Sequence, residues 1–176
     1  MTDAPATSER GLRLNALSLD EATEALARCC GAARWVEAML ARRPFASRAA
    51  LFAAAADVWS RMTPDDLLEA FAQHPEIGEN LAELRGKFAA TADWASVEQR
   101  GAVGASEATL IALRNGNQAY RARFGYSFIV CATGKSADEM RALLEARLDN
   151  PPELELGIAA AEQAAITHLR LEKLEA

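Results

Sequence analysis

The sequence predicts an all-α, single-domain protein of about eight helices, and three observations carry that expectation. Alanine is abundant while aromatics make up only 6% of the 176 residues, a composition suited to close-packed helices rather than a sheet. Helix-start signals recur ahead of apolar runs of helical period, at Ser18–Glu21, Thr63–Asp66 and Ser136–Glu139. One run alone, Tyr126 to Cys131, is aromatic and β-branched and too short for a helix, so one short extended segment is expected there, near 126–131.

Taken in order, residues 1–14 read as a flexible arm and 15–176 as the helical domain. Ser18 and Glu21 form a capping box, and the helix they open carries Leu19, Ala22, Leu26 and Cys29/Cys30 on one side until Gly31. A short helix with Trp35 and Met39 follows, and Pro44 stops it. Ser47 to Met62 reads as an Ala-rich buried helix with Leu51, Ala54, Val58 and Met62 in register. Thr63-Pro64-Asp65-Asp66 supplies a cap, a proline at the first helical position and acids in the first turn. The helix it starts, with Leu67, Leu68 and Phe71, leads to His74. A polar segment runs to Lys87, and a short helix after Trp94 holds Glu98 and Gln99. Ser106 opens a long helix with Leu110, Leu113, Asn117 and Tyr120 on one face and Gly125 at its end. Beyond the extended strip, Ser136 and Glu139 cap a helix that Pro151-Pro152 ends. Glu153 to Leu174 forms the last helix. Neither an internal repeat nor a dividing linker is visible.

Composition narrows the function. A net charge of −6 disfavours wrapping nucleic acid or an anionic membrane, both of which select basic faces. No apolar run reaches the ~20 residues of a membrane span. The odd cysteine count (Cys29, Cys30, Cys131), with no zinc-like spacing, suits a reducing compartment. The first ten residues lack the apolar core of a secretory signal, so a cytoplasmic location is expected.

The chemistry-bearing stretch is Gln73 to Gln99. His74, one of two histidines, is followed by Pro75 and closed by Gly78, and Glu98-Gln99 comes later. An imidazole titrates near neutrality and can give or take a proton. The plainer readings are that His74 bridges two helices and that Glu98 complements a helix dipole. Ala132-Thr133-Gly134-Lys135-Ser136 resembles a phosphate loop only superficially, because the required earlier glycine is Ile129. His168 lacks the companions of a metal site, and no metal is expected. Arg170 on its own reads as a surface cation near a helix C-terminus.

Together these residues are more specific. Trp35-Val-Glu-Ala-Met-Leu-x-Arg-Arg-Pro-Phe45, His74-Pro-Glu-Ile-Gly78 and Glu98-Gln99 are followed by Asn117-x-x-Tyr120-x-x-x-Phe124-Gly-Tyr126-x-Phe128-Ile129. Then come Gly134-Lys-Ser136, Arg147-Leu-x-Asn150 and Arg170-Leu171. In this order they resemble the 2-oxo-4-hydroxy-4-carboxy-5-ureidoimidazoline (OHCU) decarboxylases over residues 18 to 174.

The resemblance implies an all-helical, cofactor-free, homodimeric carboxy-lyase that converts OHCU to (S)-allantoin in urate catabolism. It maps His74, Glu98 and Arg170 onto catalytic positions. Pro75, Gln99 and the backbone of Phe128, Ile129 and Val130 would line the pocket. The family often has a serine three residues before the glutamate; that position is Ala95 here, so either Ser96 beside it substitutes or that hydrogen bond is missing. Two other readings stand beside it: a non-catalytic helical interaction domain, and a decarboxylase or hydrolase of another ureido heterocycle.

Overall fold

The computed structural model describes residues 11–74 and 107–176. Among these it contains eight helices and no strand. The polar segment to Lys87 and the helix expected around Glu98 lie outside the described residues. The chain divides into two units, one comprising the residues up to Asp66 with Thr167–Ala176, the other running from Leu67 to Ile166.

The first unit holds α1 (Arg13–Ala16), α2 (Leu19–Cys29), α3 (Ala33–Leu40) and α4 (Arg48–Trp59). It also holds the start of α5 (Pro64–Ala72) and the end of the last helix. The Ser18–Glu21 capping box forms as expected: Ser18 N donates to Glu21 Oε2 at 2.9 Å and Glu21 N to Ser18 Oγ at 3.3 Å. Ser18 Oγ, which donates to Glu21 Oε2 at 2.8 Å, and then the Ser18 amide hold the Glu21 carboxyl below its ordinary range. At the start of α5, Asp66 N donates to Thr63 Oγ1 and Thr63 N to Asp66 Oδ2, closing a second reciprocal cap. Leu14, Leu26, Trp35, Met39 and Leu51 are fully buried between these helices, and the Trp35 indole N–H donates to Ala55 O at 3.3 Å. Leu19, expected on the buried side of α2, is 66% exposed.

Arg13 and Leu14, expected within an arm over residues 1–14, belong to a helix. Helix α1 begins at Arg13, Leu14 is buried, and the amides of both donate to the Glu175 carboxylate at 2.7 and 2.9 Å. First-turn amides need an acceptor. Here a residue from the far end of the chain supplies it, so no local motif announces the helix.

The second unit contains the rest of α5, α6 (Glu107–Phe124), α7 (Ala137–Leu148) and the first part of α8 (Pro152–Leu174). Leu110, Leu113, Asn117 and Tyr120 form the buried face of α6, as their spacing predicts. Helices α6 and α7 pack closely at Gly116, where a Cβ would lie 2.5 Å from Leu144 Cδ2. Gly125 takes φ +82° and donates to Arg121 O at 2.8 Å, a glycine C-cap.

The strip Tyr126 to Cys131 is neither helix nor strand. Its Phe128, Ile129 and Val130 are buried, and among the described residues side chains rather than a neighbouring strand pair its backbone. Arg147 Nη1 donates to Ile129 O at 2.9 Å, and Cys131 N donates to Glu162 Oε2 at 2.6 Å. Just beyond it, Lys135 Nζ donates to Cys131 O at 2.7 Å, so the apparent phosphate loop is a turn closed by its own lysine.

Candidate active site

His74 follows the last turn of α5, its N–H donating to Phe71 O at 3.0 Å. Phe71 fixes that end of the helix. It is fully buried with Ile129 and Ala159, and its ring lies 5.1 Å from that of Tyr126. The half-buried His74 ring meets α8, where Nε2 lies 2.5 Å from Gln163 Oε1. Gln163 is 0% exposed. An amide oxygen can only accept, so with it facing the ring the contact favours the tautomer that carries its proton on Nε2.

A buried polar network lies in the same unit. Glu155, 0% exposed on α8, accepts from the Tyr120 hydroxyl, from Arg147 Nε at 2.8 Å and from Asn150 Nδ2 at 2.7 Å. The Arg147 guanidinium also sits 4.6 Å from the Phe128 ring centroid. Burial, then the bond to Glu155, pushes the Tyr120 hydroxyl far above its usual pKa, so it remains a donor. Within this unit α8 therefore serves two purposes: Glu155 and Glu162 hold the 126–131 strip, and Gln163 holds His74.

Among the described residues, the buried Tyr126 hydroxyl forms no well-aligned hydrogen bond; burial raises its pKa, and the neighbouring Tyr120 hydroxyl offsets part of that rise. Removing an uncompensated buried hydroxyl costs nothing and can stabilise. Tyr126→Phe is accordingly expected to keep or raise the stability measured by urea denaturation, by up to about 1 kcal/mol; a clear loss would show that the hydroxyl is satisfied.

Of the residues singled out from sequence, the structure brings His74 to α8 through Gln163, and the strip that carries Phe128–Val130 to the same helix through the bond from Cys131 to Glu162. Pro75, Ser96, Glu98 and Gln99 lie outside the described residues. Arg170 belongs to the other unit, where its half-buried guanidinium donates from Nη1 to Arg28 O at 3.2 Å and Cys29 O at 3.3 Å. There it satisfies carbonyls at the C-terminus of α2. Burial pushes the adjacent Cys29 thiol up to about 11 despite that guanidinium, so this cysteine is a packed thiol, not a nucleophile. His168 is exposed, stacked 4.3 Å from Phe52 and 3.5 Å from Glu172. No group of three potential metal ligands occurs among the described residues.

Sequence reasoning missed Gln163, Glu155 and Glu162. The available signal was polar residues spaced at helical intervals among the alanines of α8, a pattern easily taken for a solvated face.

A helical scaffold that buries polar side chains to orient an imidazole suits a small-molecule enzyme working by proton transfer. A family model described as OHCU decarboxylase matches residues 15–172. The chain belongs to the OHCU decarboxylase family. It is 36% identical over 148 residues to the uric acid degradation bifunctional protein TTL of Arabidopsis thaliana, covering 83% of this chain but 45% of that protein. It thus spans less than half of that relative's length. It is 28% identical over 160 residues to the 2-oxo-4-hydroxy-4-carboxy-5-ureidoimidazoline decarboxylase of Haloferax volcanii, covering 90% of this chain and 92% of that one. Among solved structures, an OHCU decarboxylase crystallised in the presence of (S)-allantoin superposes with a TM-score of 0.70. The identity is 34%, over 86% of this chain and 96% of that one.

Proposed function

We propose that this chain decarboxylates OHCU to (S)-allantoin, with His74 as the acid–base group. The observation that carries the reading is the imidazole of His74 held through Nε2 by a buried amide. Such a ring is aimed, and it retains a basic nitrogen for chemistry. Family membership and the likeness to a decarboxylase studied with allantoin support the choice of substrate.

The substrate has a hydroxyl and a carboxylate on one ring carbon, beside a C=N bond. When the carbon–carboxylate bond breaks, CO₂ leaves and its electron pair forms a carbon–carbon double bond. The imine π electrons move to nitrogen, which takes a proton. His74 then accepts the hydroxyl proton of the resulting enol, and the neighbouring carbon is protonated on one face to give allantoin. The substrate contains its own electron sink, so these steps need only positioned acid–base groups.

In this reading Glu98 stabilises the imidazolium and binds ureido or ring N–H groups. Arg170, with Gln99, grips a carbonyl edge bidentately. Arg170 would contact oxygens that gain charge, because clamping the departing carboxylate would stabilise the ground state. Pro75, Phe128, Ile129 and Val130 line the pocket, and Ser96 stands in for the family serine. The further expectation, from the resemblance, is a cytoplasmic homodimer.

Purified protein added to freshly generated OHCU and followed by circular dichroism tests the proposal. The unassisted reaction has no chiral environment and yields racemic allantoin. An optically active (S) product formed faster than in buffer is the expected result; racemate at the buffer rate overturns it.

A further inference from the structure

We propose that Gln163 is a positioning residue: it locks His74 in the Nε2–H tautomer, so that Nδ1 is the nitrogen that receives the substrate proton. This deepens the decarboxylase reading above and rests on it for the identity of the proton donor, but the tautomer itself does not depend on that reading.

Three observations carry the inference. First, the contact is short: Nε2 and Oε1 are 2.5 Å apart between residues 89 positions apart in sequence. Second, its two ends are rigid. His74 is tied to α5 through Phe71 O, and Phe71 is fully buried, while Gln163 is 0% exposed within α8. Third, the neighbouring position, Glu162, binds the Cys131 amide at 2.6 Å. Within this unit, consecutive residues of α8 thus set both the ring and the strip expected to line the pocket.

The residue type also matters. A carboxylate facing Nε2 would attract the imidazolium strongly and hold the proton on the ring. A neutral amide oxygen fixes the tautomer without that charge and leaves the ring able to alternate between base and acid. Orientation of the imidazole is thereby met at Nε2 by Gln163.

The test is nitrogen NMR of the full chain with ¹⁵N-labelled histidine, at a pH where the ring is neutral. His74 is assigned by its loss in His74→Asn. In the native protein the His74 signals should be those of the Nε2–H form. In Gln163→Leu they should shift toward a mixture of tautomers, and in Gln163→Glu, which keeps an acceptor oxygen, the Nε2–H form should persist. A native spectrum dominated by Nδ1–H, or a Leu variant with unchanged tautomer signals, overturns the proposal. The native spectrum needs no variant, so a misfolded Gln163→Leu would not remove the test.

Kinetics supply the second readout. Gln163→Leu should lower kcat on OHCU by about 10- to 100-fold with little change in KM, and Gln163→Glu should recover part of that loss. An inactive native protein with a fixed Nε2–H tautomer would overturn the decarboxylase reading while leaving the role of Gln163 intact. An active native protein whose Leu variant keeps full kcat would do the reverse.

Discussion

His74→Asn is expected to leave a folded protein that decarboxylates OHCU no faster than buffer does. Positioned acid–base groups typically contribute roughly 10²–10⁴-fold, and losing the base held by Gln163 should remove that factor. The fold should survive because the end of α5 is anchored by Phe71, packed with Ile129 and Ala159, rather than by the imidazole. Asn also keeps an amide donor for the Gln163 oxygen, whereas Ala would remove that donor. The measurement is single-turnover decay of fresh substrate together with the optical activity of the product, and the variant should yield racemate. Near-native turnover with an (S) product would take His74 out of the chemistry, whatever its geometry.

The sequence made His74 legible because its cues are local: an α5 start signalled by Thr63, Pro64 and Asp66, then Pro75 and Gly78 close behind it in the chain. The same holds for the capping boxes at Ser18 and Ser136 and for the glycine cap at Gly125, where both partners lie within a few residues. What failed to show were the partners supplied from afar. Helix α1 depends on Glu175, and His74 depends on Gln163, neither of which carries a motif. The strip from Tyr126 read correctly as non-helical, yet its hydrogen-bond partners are the side chains of Arg147 and Glu162. Tyr120, Arg147 and Asn150 entered the family resemblance as motif residues, but their common partner, Glu155, did not. An isolated glutamate near a helix start resembles any acid placed to suit the dipole.

That overlooked glutamate should have the largest effect on stability. Glu155→Leu is expected to destabilise the protein by about 3–5 kcal/mol, the range for breaking a buried ion pair from one side. The Arg147 side chain is only 9% exposed, so its charge would lose its counterion without gaining water. The Tyr120 hydroxyl and the Asn150 amide would lose their acceptor at the same time. Arg147→Met alone should also be costly, because it strands the Glu155 carboxylate and frees the Ile129 carbonyl. The double variant should cost much less than the sum, since two apolar chains of similar volume replace a desolvated pair. Urea denaturation of the four proteins, followed by far-ultraviolet circular dichroism, reads out the coupling directly. Strictly additive losses would mean that the pair acts as two independent packing contacts. Strong coupling, with the strip loosened in hydrogen exchange at Cys131, would instead make this ion pair the device that fixes the 126–131 backbone.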